Sequence, residues 1–144
     1  MKITNHVKIN LPAIVGNESF ARAAVAAFCT PLSPSLEEIN DIKTAVSEAV
    51  TNVIVHAYPN TTGEFSVDVV IYDDQVVSIV VEDEGIGVKD IAEAKKPFYT
   101  TKSTEEHSGM GFTIMEAFTD ELEVSSEIGR GTRIAMRKKI KQHA

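Results

Sequence analysis

Apolar residues recur along this chain with two different periods, and the switches between them mark out its elements. Ile3, Val7, Ile9 and Leu11 alternate loosely with polar neighbours over residues 3–11, which predicts an edge strand ending at Pro12. A helix is expected next, with Asn17 as its N-cap, Glu18 in the first turn, an apolar run from Phe20 to Phe28, and a stop at Pro31. Ser35-Leu36-Glu37-Glu38 places serine at a cap and glutamate three residues later. This capping box opens a long helix reaching to about Tyr58, ahead of Pro59. Valine- and isoleucine-rich runs from Glu64 to Tyr72 and from Val76 to Glu82 read as a hairpin joined at Asp73-Asp74-Gln75. The periodicity then breaks from Asp83 to Gly111, apart from a short helical stretch near Ile91 to Lys95. A loop of that size reads as a functional lid. A helix from about Met110 to Phe118, a strand from Glu121 to Glu127, a tight turn at Gly129-Arg130-Gly131 and a strand from Thr132 to Lys139 complete the order. Helices grouped on one mixed, largely antiparallel sheet make an α+β two-layer sandwich. We read it as one domain over residues 1–144, with a lid at about 96–108.

The long helix has two distinct faces. At about 100° per residue, with Glu48 at zero, Asn52 falls near 40° and His56 near 80°, while Ile39, Ile42, Val46, Val50 and Val53 fall between about 120° and 200°. The apolar stripe can pack on a sheet while a carboxylate and an amide face a cleft. Mg²⁺ prefers hard oxygen ligands, and an asparagine amide offers one without adding charge; a glutamate one turn away can accept a hydroxyl proton. Such a pair alone reads first as a solvated helix face, and His56 as a helix-end residue favoured by the dipole.

Composition narrows the field. The chain has 144 residues, 43% of them apolar, which suffices for a core without disulfides. Its single cysteine, Cys29, lies in an apolar run and is expected to pack in that core. The start lacks the apolar stretch of a signal peptide and no segment has the length of a membrane span, so we expect a cytoplasmic protein without a membrane partner. A net charge of −7 argues against general nucleic-acid binding. The basic cluster at Arg133, Arg137, Lys138, Lys139 and Lys141 reads as a solvated terminal strand and tail.

Two glycine boxes add chemistry to the helix. Asp83-Glu84-Gly85-Ile86-Gly87 follows a strand directly. The Asp83 carboxylate can accept from an adenine amino group while Gly85 and Gly87 let the backbone pass close to the base, although a plain turn uses the same residues. Ser108-Gly109-Met110-Gly111-Phe112 precedes a helix, where backbone N–H groups can converge on a phosphate or simply form a glycine-rich helix entry. Thr100-Thr101-Lys102 stands before it, with a lysine able to meet phosphate or solvent. Gly131-Thr132 opens the last strand.

Taken in order, Glu48-x-x-x-Asn52-x-x-x-His56-Ala57, Asp83-x-Gly85-x-Gly87, Thr100-Thr101-Lys102, Gly109-Met110-Gly111-Phe112 and Gly131-Thr132 resemble the Bergerat-fold ATP-binding domain shared by Hsp90, gyrase B, MutL and sensor histidine kinases. Asn17 to Arg22, Val46 to Asn52 and Ser108 to Met115 are similar, within that superfamily, to the anti-sigma F factors of endospore-forming bacteria, and the likeness spans nearly the whole chain. The resemblance implies a homodimeric serine kinase that sequesters a sporulation sigma factor and phosphorylates its anti-anti-sigma partner with Mg-ATP, leaving ADP. It implies Glu48 as catalytic base and Asn52 as Mg²⁺ ligand. Asp83 and Thr132 would lie at the adenine, with Gly85, Gly87, Thr100, Thr101, Lys102, Ser108, Gly109, Met110 and Gly111 around the nucleotide, and Arg22 on the partner surface. His107 stands where these factors commonly carry arginine. The expected γ-phosphate contact is therefore weaker or pH-dependent, or passes to Lys102. Two alternatives share the motifs: an anti-sigma B type regulator, and a nucleotide-gated sigma-binding module without significant catalysis.

Overall fold

The structure, a computed structural model, describes residues 1–87 and 111–142. Its strands are β1 (Ile3–Pro12), β2 (Glu64–Tyr72), β3 (Val76–Asp83), β4 (Glu121–Glu127) and β5 (Gly131–Lys139); its helices are α1 (Gly16–Phe28), α2 (Leu36–Asn52) and α3 (Gly111–Phe118). The expected lid and the helical stretch near Ile91 lie outside the described residues.

The strands form one sheet in the order β1-β2-β3-β5-β4. Every pairing among the described strands is antiparallel, which narrows the expected mixed sheet to a single sense. Strand alternation turns Val67, Val69, Val77, Ile79, Val81, Ile134 and Met136 inward, all at most 2% exposed. The helices cover this one face. α2 lies centrally and packs against α1 on one side and α3 on the other. Its wheel is realised as read from the sequence: Ile42, Val46, Val50 and Val53 are buried, and Ile39 packs at the edge of the core. The opposite face of the sheet has no helix among the described residues.

Local chemistry accounts for most boundaries. At the start of α2 the Ser35 hydroxyl accepts from Glu38 N at 3.1 Å and the Glu38 carboxylate accepts from Ser35 N at 2.9 Å, the reciprocal capping box. The start of α1 corrects the expectation. Val15 occupies the cap position and no side chain caps the helix; Asn17 is already inside it. The preceding turn satisfies the first amides instead, with Asn17 N donating to Ile14 O and Glu18 N to Val15 O, while the Asn17 side-chain amide donates to Pro12 O at 2.8 Å. Beyond Asn52 the helix continues to Ala57 as a π-helical turn, Val53–Ala57, where the sequence predicts regular helix. Cys29 is fully buried, as its apolar surroundings imply.

The basic cluster is not uniformly solvated. Lys138 pairs with Asp41 of α2 at 3.3 Å in a mostly buried contact, and Arg137 lies over the Tyr72 ring at 5.7 Å.

Candidate functional site

The register of the sheet builds one end of the site. Phe65 pairs with Asp83, Glu82 with Arg133, and Ser126 with Thr132. Asp83, Thr132 and Ser126 therefore form a polar row on the helix-covered face, one step beyond the apolar row of Val81, Ile134 and Val124. Asp83 and Thr132 are each only 5% exposed. Backbone donors from Gly85 and Thr132 both go to Asp83 Oδ1, at 2.9 and 3.2 Å. Among the described residues this leaves Oδ2 as the oxygen available to a ligand. Burial raises the Asp83 carboxyl above its ordinary range, and the two amide donors offset part of that rise.

The glycine loop after β3 is held on two sides. Ile86 N donates to Ala57 O at 2.9 Å, and Ile86 O accepts from Gly129 N at 2.9 Å. A side chain at Gly85 would strike the Ala57 carbonyl, so only glycine permits this approach. Gly131, at φ +112°, likewise lets β5 start against the Asp83 carbonyl. Gly87 lies against Glu127 on the far side. The loop thus ties the Asp83 row to the C-terminal end of α2, where Asn52 ends the regular helix and the π turn begins. Tyr58 adds a strut: its hydroxyl donates to Glu64 O at 2.6 Å and accepts from Glu84 N at 3.0 Å.

Glu48 lies one turn before Asn52, on a half-buried stretch of α2 facing α1. It shares a groove of about 270 Å³ with Arg22, Asn40, Lys43, Thr44 and Ser47. The groove is cross-linked by Glu18, which accepts from Ser47 Oγ at 2.6 Å and pairs with Arg22 at 3.4 Å. Two residues singled out for different reasons, Glu48 for proton transfer and Arg22 for partner contact, thus line one surface depression. Gly111 begins α3, buried beside Phe112 and Met115 where that helix packs along α2.

Asp83, Gly85, Gly87 and Thr132 are brought together, Asn52 is joined to them through the π turn and Ala57, and Glu48 faces the α1 groove. Thr100, Thr101, Lys102, His107, Ser108, Gly109 and Met110 lie outside the described residues. Two contributors escape a reading of the sequence. Ser126 is one serine of a pair, and only the β4–β5 register assigns it to the inner face beside Thr132. Tyr58 precedes a proline, and one of its two partners, Glu84, is remote until the strands assemble. The signal for Ser126 is parity, since it follows Leu122 and Val124 at steps of two.

Comparison with known proteins agrees with this architecture. The profile of the histidine kinase-like ATPase domain matches residues 11–138. The chain is 50% identical over 138 residues to a protein of Clostridium acetobutylicum named anti-sigma F factor, covering 96% of each. It is 47% identical over 137 residues to a protein of the same name from Priestia megaterium, covering 94% of this chain and 93% of the relative. Among solved structures, the RsbU and RsbW domains of a Mycobacterium tuberculosis protein superpose with a TM-score of 0.70 at 20% identity, over 98% of this chain and 34% of that one. A blue-light activated histidine kinase of Erythrobacter litoralis gives 0.60 at 18% identity, over 84% of this chain and 41% of that one. At such identities the structural likeness establishes the fold alone, whereas the full-length relatives go further. The chain belongs to the anti-sigma F factor family, built on the histidine kinase-like ATPase domain.

Proposed function

We propose that the protein binds and inhibits a sigma factor of the sporulation F type and uses Mg-ATP to phosphorylate a serine on the cognate anti-anti-sigma factor, working as a cytoplasmic homodimer. The observation that carries this reading is the Ile86–Ala57 hydrogen bond. It fastens the adenine-type acceptor Asp83 to the end of the helix that bears Glu48 and Asn52. The names of the full-length relatives support the sigma-factor part.

The residues fit the groups they would hold. Asp83 presents a carboxylate oxygen from a buried, backbone-anchored position, as an amino group of a base requires. Among the described residues no cluster of three His, Cys, Asp or Glu is placed to hold a metal. A Mg²⁺ at this site would take the Asn52 amide oxygen as one hard ligand. When bound, Mg-ATP supplies the transferable phosphoryl group with its charge partly neutralised.

The protein's own part is positioning and proton transfer. Asp83 and Thr132 would set the base, Gly85 and Gly87 let the loop beside it close against Ala57 and Glu127, and Asn52 would orient the metal end. Glu48 accepts the proton of the attacking serine hydroxyl, delivered along the groove in which Arg22 contacts the partner. By the family resemblance, the glycine box ending at Gly111, with Thr100, Thr101, Lys102, His107, Ser108, Gly109 and Met110, is assigned to the phosphates.

Labelled ATP mixed with the wild type, with Glu48→Ala and with candidate anti-anti-sigma proteins tests the assignment. We expect phosphoserine with the wild type, and with Glu48→Ala a loss of transfer of about 10²–10⁴-fold with nucleotide and sigma-factor binding retained. Undiminished transfer by Glu48→Ala removes the proposed base. Absence of transfer by the wild type, with sigma-factor binding intact, leaves a nucleotide-gated binding module.

A further inference from the structure

A hydroxyl has one hydrogen to donate and two lone pairs with which to accept. Ser126 Oγ lies 3.0 Å from the carbonyl oxygen of Gly131, which can only accept, so the Ser126 hydrogen is directed there. The same Oγ lies 2.8 Å from Thr132 Oγ1. With the serine hydrogen engaged, Thr132 is the donor in that contact, and what its hydroxyl has left for any other neighbour is lone pairs. Its backbone N–H is turned to Asp83 Oδ1 at 3.2 Å, which fixes Thr132 beside the carboxylate. The polar row therefore offers a ligand two side-chain acceptors, Asp83 Oδ2 and Thr132 Oγ1, and no side-chain donor.

Adenine carries an amino group with two hydrogens at the position where hypoxanthine and guanine carry a carbonyl oxygen. An acceptor facing position 6 suits the amino group and sets lone pair against lone pair with the carbonyl; the N1–H of a 6-oxo purine can donate to only one of the two acceptors and leaves the other against its carbonyl. A threonine hydroxyl free to rotate can donate to that carbonyl and relax the discrimination. We infer that Ser126 is a specificity-determining residue: by taking the Thr132 hydrogen it holds that hydroxyl as an acceptor and makes the site select 6-amino purines over 6-oxo purines. The inference rests on the nucleotide reading above and deepens it. Ser126 acts through Thr132 and is a positioning residue.

The test is calorimetric titration of ATP and of inosine triphosphate into the wild type, Ser126→Ala, Ser126→Thr, Thr132→Val and the Ser126→Ala/Thr132→Val double variant. The readout is the ratio of the two dissociation constants, which does not depend on the fraction of each sample that is folded. We expect a wild-type preference for ATP that Ser126→Ala narrows roughly threefold to tenfold, the scale of one neutral hydrogen bond. Ser126→Thr, which keeps a hydroxyl, restores the wild-type ratio. The double variant matches Thr132→Val, because no hydroxyl remains to be oriented. Equal weakening of both nucleotides in Ser126→Ala, an unchanged ratio there, or a further change in the double variant overturns the inference while leaving the nucleotide site standing. A wild type that binds neither nucleotide overturns the reading beneath it as well.

Discussion

Removing the Asp83 carboxyl from water raises its pKa above the ordinary 3.8, and the N–H groups of Gly85 and Thr132 recover only part of the lost solvation. A raised carboxyl binds protons more tightly in the folded chain than in the unfolded one, so its ionisation opposes folding. That opposition is absent below pH 3.8, develops as pH rises from there through the raised folded value, and is complete above it. Asp83→Asn keeps an oxygen for the same two amides and carries no charge. We therefore expect the stability of this variant relative to wild type to increase with pH across that window, read from urea unfolding at a series of pH values, while nucleotide binding weakens. A difference that stays flat with pH would mean the carboxyl titrates alike in both states. At this scale the sequence shows an aspartate at a strand end before two glycines, which marks Asp83 as the candidate acceptor. It did not show Ser126, because a serine in a polar strand carries no mark of the face it will occupy until the register with Thr132 is known.

Among the elements, α2 was the most legible and α1 the least. The α2 capping box is written locally, in four consecutive residues, and it forms as written. Ser35→Ala removes the hydroxyl that accepts from Glu38 N. It should cost about 1 kcal/mol, measured as a lower urea midpoint with an unchanged m-value. For α1 the local pattern named Asn17 as the cap, but the strand end competed for that side chain: its amide reaches Pro12 O, and carbonyls of the incoming turn satisfy the first helical amides. The π turn after Asn52 was equally invisible. The Ala57 carbonyl at its end accepts from Ile86 N, in a loop about thirty residues downstream in sequence whose position is set by the sheet. A π turn at the junction of α2 and the glycine loop fits the tendency of such turns to lie at functional sites.

For the molecule as a whole, the last described residues close the fold over α2. Ile140 is fully buried, its N–H donates to Gln75 O at 2.9 Å, and the next amide, Lys141 N, reaches Glu38 Oε2 at 2.9 Å. Glu38 thus caps its helix with one oxygen and holds the C-terminal segment with the other. Ile140→Ala leaves a cavity at this closure and should destabilise the protein by about 2–5 kcal/mol in chemical denaturation. A loss below about 1 kcal/mol would show that the closing segment contributes little. What the sequence by itself determined is what depends on near neighbours or on period. The strand and helix spans follow from alternation and the helical wheel, the buried face of α2 from its stripe of valine and isoleucine, and the candidate nucleotide residues from motifs read in order. Tertiary structure alone decided the uniformly antiparallel order β1-β2-β3-β5-β4, the polar row across three strands, the strut from Tyr58, the groove shared by Glu48 and Arg22, and the partner of Lys138. The division has one physical reason. Propensity and amphipathicity act over a turn or a strand, whereas a hydrogen bond between residues far apart in sequence exists only once the sheet has set their register.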